Sequence, residues 1–222
     1  MKNGVKIGAS LACANFRNLE KDIREFEQAG VDFIHFDVMD GHFVPNFALN
    51  LDILHLVKEL TALPVDTHLM IDNPETYIPI FAKEGSDSIT IQPEATPYAQ
   101  RELAKIRELG RKAGLALNPA TSVDVLENVL PDLDEILIMT VNPGFAGQTL
   151  IPAMIDKVAQ LRRLLVERGC KAEIEVDGNV SFANIPRLVG AGATMLVGGT
   201  SSIFKKGLEI QEAVQKVYDS IP

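Results

Sequence analysis

Short apolar runs alternate with longer amphipathic stretches along the chain, and the alternation sets the reading of its fold. An apolar run at residues 5–11 precedes a stretch where Leu19, Ile23, Phe26 and Ala29 recur at helical spacing before Gly30. The pairing repeats, with strands expected at 33–40, 64–71, 88–92, 113–118, 135–141, 172–176 and 195–198. The helices expected after them span 51–60, 74–84, 100–109, 123–130, 152–168, 182–190 and 208–219. Gly30, Gly85, Gly110, Gly169 and Gly192 stand where helices end before the next strand, as left-handed caps do. The strands are short apolar runs, as expected of a parallel sheet covered on both faces. Eight such βα units close most naturally into an α/β fold of the (β/α)8, or TIM, barrel type; a doubly wound open sheet is the alternative. No linker or low-complexity segment interrupts the pattern, so a single catalytic domain over 1–222 is expected.

Composition narrows the partners. Hydrophobic residues make up 46% and charged residues 23%, ample for a core, and the formal net charge is -9. Without a basic cluster, neither a nucleic acid nor an anionic membrane is expected as a partner. Cys13 and Cys170 read as reduced thiols of a cytoplasmic protein, and the N-terminal apolar stretch reads as neither signal peptide nor transmembrane helix.

The chemistry-bearing residues fall where barrel chemistry sits, at the C-terminal ends of strands. His35 and Asp37 are two apart in a strand and share one face. The plainer reading of that pair is a hydrogen-bonded core contact. Ser10 ends the first strand, His68 lies in VDTHLMI of the third and Asp177 ends EIEVD of the seventh, all at one mouth. His55 is expected to pack on a helix surface, and His42 to anchor a loop by a hydrogen bond. His35, His68, Asp37 and Asp177 make an N2O2 set suited to one divalent metal ion per subunit: zinc first, with Fe2+, Mn2+ or Co2+ as alternatives.

Loops rich in glycine and small polar residues follow strands six, seven and eight: NPGFAGQ (142–148), DGN (177–179) and GGTSS (198–202). One such loop is an ordinary barrel turn; three at one mouth suit a phosphate held by backbone N–H groups. None carries Lys or Arg, so amides and the hydroxyls of Thr200 and Ser201 are expected to do the binding. Met39, Met70 and Met139 end strands at the same mouth and read either as core filler or as a soft apolar lid over the substrate.

The motifs SLACANF (10–16), HFDVMDGHFVPN (35–46), HLMI (68–71), GLALNPAT (114–121), MTVNPGFAGQ (139–148) and EVDGN (175–179) resemble those of the ribulose-phosphate 3-epimerases, in order and spacing. The resemblance implies that His35, Asp37, His68 and Asp177 bind the metal, with Asp37 and Asp177 as the acid/base pair. It implies that Ser10 and His68 contact substrate oxygens. Gly144, Phe145, Ala146 and Gly147, Gly178 and Asn179, and Gly199, Thr200 and Ser201 are then the phosphate-binding positions. Inversion of a carbon α to a ketone needs a base on one face and an acid on the other, with the enediolate charge stabilised by the metal. The chain departs from the family pattern at Ala9, Asn15, Gln92 (where histidine is frequent) and Asn179, and GGTSSIF is one residue longer than the common form. The last two departures resemble the ketohexose-phosphate epimerases.

The expected function is therefore a metal-dependent ketose-phosphate 3-epimerase acting on ribulose 5-phosphate, with allulose 6-phosphate as the alternative sugar, working as a homo-oligomer. A lyase or decarboxylase on the same barrel is disfavoured because DVMD offers Val38 and Met39 where a lysine motif is needed. A non-catalytic sugar-phosphate sensor needs neither carboxylate.

Overall fold

The computed structural model describes residues 2–222, and it closes the alternating units into a barrel. Its strands are β1 (Lys6–Ser10), β2 (Phe33–Met39), β3 (Val65–Met70), β4 (Ser88–Ile91), β5 (Lys112–Leu117), β6 (Glu135–Met139), β7 (Glu173–Asp177) and β8 (Met195–Gly198). All neighbours pair parallel, and β8 pairs with β1 to complete the ring. The helices are α1 (Leu19–Ala29), α2 (Leu51–Leu60), α3 (Pro74–Glu84), α4 (Ala99–Glu108), α5 (Ala153–Arg168), α6 (Ile185–Ala191) and α7 (Ile210–Ser220). The five helix-ending glycines named above all adopt positive φ.

One expected helix is not formed. Residues 123–130 fold as a 3-10 turn, Val123–Leu126, followed by a second at Leu130–Asp132. Pro131 disfavours the α conformation at Leu130 and removes a backbone donor, while the Ser122 side chain accepts the Asp124 N–H in a local turn. Val123, Val125 and Val129 add χ1-restricted side chains to a segment too short to resist. The sixth helix starts at Ile185 rather than 182, with Pro186 in its first turn, where its fixed φ suits helix entry.

The apolar core lies between strands and helices. Ile7, Ile34, Phe36, Leu69, Ile89, Ile136 and Ile174 face outward from their strands into it, where Phe26 of α1 meets Phe204 edge-on at 5.8 Å. The barrel interior is different. It holds a small separate apolar cluster, Ala116, Leu137 and Met139, and a layer of buried polar side chains: Asp66, Ser88, Thr90, Gln92, Glu135 and Glu175 join His35, Asp37 and His68. Gly114 makes room for that layer, since a Cβ there would run into Thr90 Oγ1 and Glu135 Cγ. Among the described residues no helix is long and apolar enough to cross a membrane.

Candidate active site

Strand register builds the site. Asp37 of β2 lies opposite His68 of β3, and His35 lies opposite Asp66, so these four inward side chains stack in adjacent layers. His35, Asp37 and His68 bring ligand-type atoms within 4.8 Å of one another. His68 Nδ1 is 3.3 Å from Asp37 Oδ1, and Ser10 Oγ donates to Asp37 Oδ2 at 3.2 Å. Asp177 stands outside that group of three, at the end of β7, and lines the same cavity as Asp37.

Burial opposes ionisation of Asp37, but His35 and His68 outweigh it and hold the carboxyl well below the usual range. Burial and then the charge of Asp37 push Asp177 up to about 6, against the pull of His35 and His68. One cavity thus holds two aspartates of opposite proton affinity, the pattern expected where one carboxyl group accepts a proton and another donates.

His35 is anchored from behind. Its Nδ1 donates to Asp66 Oδ2 at 2.7 Å, and Ser88 Oγ donates to Asp66 Oδ1 at 2.7 Å. Burial disfavours the charged form of Asp66, but His35 and Ser88 hold it down to about 2, so it stays a pure acceptor. The other ring nitrogen, Nε2, is buried 3.2 Å from Asp37 Oδ1 and makes no hydrogen bond. A buried imidazole nitrogen without a partner, beside an ionised carboxylate and a second imidazole, suits a divalent cation. Asp66 gives His35 the carboxylate support that metal-bound histidines use. A second group, His35 with Asp66 and Glu175, is as closely spaced, but there Asp66 already receives the His35 and Ser88 protons.

The sequence reading missed the acid layer beneath this site. Burial and the Asp66 charge push Glu175 up to about 8 despite His35, and both its oxygens lack hydrogen bonds. Burial, then the charges of Asp66 and Glu175, raise Glu135 well above the usual carboxylate range, and Thr90 Oγ1 donates to it at 3.1 Å. Alternation carried a signal: Asp66 and Glu175 stand two residues before His68 and Asp177, on the same inward faces.

Folded Glu135 keeps its proton above the pH at which the unfolded chain has lost it. The native state then binds more protons, and stability falls as pH rises through that window, by about 1.4 kcal/mol per pH unit for one group. Replacing Glu135 by glutamine is expected to flatten the fall by that amount, read from urea unfolding of chelator-treated protein at a series of pH values. Equal slopes in both proteins would contradict it.

A cavity of about 460 Å³ opens above the ligand group. Ser10, Met39, Met70 and Met139 line its lower wall with the two aspartates, and Met70 and Met139 are nearly fully buried. Gly144, Phe145, Ala146 and Gly147 line it from the loop after β6. Gly178 and Asn179 line it after β7, and Gly199, Thr200 and Ser201 after β8. Gly178 has φ +108° and packs so closely that a Cβ would meet Val141.

Asn179 also adopts a positive φ, which asparagine tolerates, and its Nδ2 donates to Gln148 O at 2.8 Å and Ser201 Oγ at 3.2 Å. It ties the three loops together. Asn46 adds a strap from the loop after β2 by donating to Gly144 O at 2.8 Å.

The remaining histidines lie elsewhere. His55 is exposed on α2 and contacts Glu84, as expected. His42 is exposed, and its loop is anchored by Asp40, whose carboxylate accepts the N–H of His42, Phe43 and Asp72. His42 thus takes part in the loop-anchoring hydrogen bonds through its backbone N–H.

Known proteins resemble the chain in both sequence and fold. Residues 6–204 match the profile of the ribulose-phosphate 3 epimerase family. Ribulose-phosphate 3-epimerase of Bacillus subtilis (strain 168) is 46% identical over 198 residues, covering 89% of this chain and 91% of that protein. The enzyme of the same name from Methanocaldococcus jannaschii is 43% identical over 216 residues, covering 97% of this chain and 91% of its own. A crystal structure of 3-hexulose-6-phosphate synthase superposes with a TM-score of 0.67 over 98% of this chain and all of that one; at 16% identity it shares the fold alone. By these matches over nearly its whole length, the chain belongs to the ribulose-phosphate 3-epimerase family, enzymes of the isomerase class.

Proposed function

We propose that the protein interconverts D-ribulose 5-phosphate and D-xylulose 5-phosphate through two carboxylates, Asp37 and Asp177, as a single catalytic domain. The observation that carries this reading is the pair itself: two aspartates line one cavity, one held ionised and the other raised to about 6. Asp37 removes the proton from C3 of the ketose, leaving an enediolate, and Asp177 delivers a proton to the opposite face. The roles exchange in the reverse direction. Ser10 holds a substrate oxygen, His68 serves the site as a metal ligand, and the three methionines pack over the substrate's carbons and exclude water. Backbone amides of residues 144–147, 178–179 and 199–201, with the Thr200 and Ser201 hydroxyls, bind the phosphate without a cationic side chain.

His35, Asp37, His68 and Asp177 hold a divalent metal in this reading, zinc by the N2O2 chemistry of the set, with Fe2+, Mn2+ or Co2+ as substitutes. When bound, such an ion supplies Lewis-acid stabilisation of the negative charge that develops on the substrate oxygens. Two free cysteines support a cytoplasmic setting.

Relative kcat/KM on ribulose 5-phosphate and allulose 6-phosphate, with metal content determined on the same sample, tests the substrate. Preference for the pentulose is expected, consistent with the relatives' names. A preference for the hexulose would contradict it.

A further inference from the structure

Gln92, the residue directly after β4, lies behind His68, and both side chains are fully buried. The His68 Nε2 lies 2.9 Å from the Gln92 amide. Only one orientation of that amide satisfies its surroundings. With its oxygen toward His68, it accepts the Nε2–H, and its nitrogen donates to Ala116 O and Glu94 Oε2, both at 3.2 Å. The opposite orientation sets the amide oxygen against two acceptors.

Glu94 is itself fixed, because its Oε1 accepts from Asn118 Nδ2 at 3.1 Å and from Thr121 Oγ1. A neutral imidazole that donates through Nε2 presents a lone pair at Nδ1, the atom that faces Asp37 at 3.3 Å.

We propose that Gln92 is a positioning residue that fixes His68 as a metal ligand through Nδ1, and that Glu94 sets which end of the Gln92 amide faces the ring. The inference rests on the metal reading above and deepens it. It mirrors the role of Asp66 behind His35, with the polarity reversed: His35 is held at Nδ1 and offers Nε2, whereas His68 is held at Nε2 and offers Nδ1. Two imidazoles on adjacent strands then aim different nitrogens into one group of three ligands. Gln92 occupies a position where only a residue with an acceptor toward His68 and a donor toward Glu94 and Ala116 completes the contacts.

Two measurements test it. In 15N-labelled, zinc-loaded protein, two-bond 15N–1H correlation is expected to show His68 protonated at Nε2 and without a proton at Nδ1. A proton on Nδ1 would overturn the proposal without any variant being made. In the second, the dissociation constant for Zn2+ is measured by competition with a chromophoric chelator. Q92L is expected to weaken zinc binding by about 10- to 100-fold, the range typical of partners that orient metal-bound histidines. Q92E keeps the acceptor and is expected to bind zinc more tightly than Q92L. If wild type binds zinc and Q92L binds it equally well, this proposal fails and the metal reading stands; if wild type takes up no zinc, both fail.

Discussion

Replacing Asp177 by asparagine is expected to lower kcat for epimerisation by about 10²- to 10⁴-fold, the usual contribution of one positioned acid or base. The substitution keeps shape and hydrogen-bonding capacity at the end of β7 and removes the ability to carry a proton, together with one anionic ligand of the metal. Asp177 suits that task because burial and the neighbouring Asp37 charge raise it to about 6, near the pH at which such enzymes work. Asp37 sits at the other extreme, held ionised by His35 and His68.

The two groups are therefore not equivalent, and the variant separates them. With Asp177→Asn, the proton on the Asp37 face of C3 should still exchange with solvent, so one epimer washes out its C3 hydrogen while conversion is lost. Equal loss of exchange from both epimers would place both proton transfers on Asp177.

The second large effect concerns the metal. Stripping divalent ions with a chelator is expected to reduce turnover by more than about 10³-fold, because Lewis-acid stabilisation of an enediolate is worth several kcal/mol. Turnover should return on addition of Zn2+. The expectation follows from His35 Nε2, buried beside Asp37 Oδ1 with no hydrogen bond of its own. Full activity in chelated protein whose metal content is shown to be nil would contradict it.

Much of this was legible in the chain because strand and helix periods differ and switch at glycines. Every strand of the barrel was readable as a short apolar run, and the inward face of β2 was readable from His35 and Asp37 standing two apart. The helix expected over 123–130 failed because Pro131 acts on the residue before it, a local veto that the apolar spacing of Val123, Leu126 and Leu130 concealed.

The acid layer is a different kind of miss. Asp66, Glu135 and Glu175 stand on strands far apart in the chain, and only closure of the barrel brings these three strands face to face. Gln92 could be recognised as a departure from a familiar motif, but its use depends on Glu94 and Ala116 holding its amide the right way round. The role of Asn179 was hidden likewise: its contacts reach Gln148 and Ser201, 31 and 22 positions away. Sequence spacing locates which side chains share a strand face; it does not state which strands meet across the barrel.

The most direct test of two-carboxylate proton transfer is to incubate the zinc-loaded protein with ribulose 5-phosphate in deuterated water and follow C3 by NMR. The account predicts deuterium at C3 of both ribulose 5-phosphate and xylulose 5-phosphate, with none at C4. Conversion to xylulose 5-phosphate with the original C3 hydrogen fully retained would contradict it.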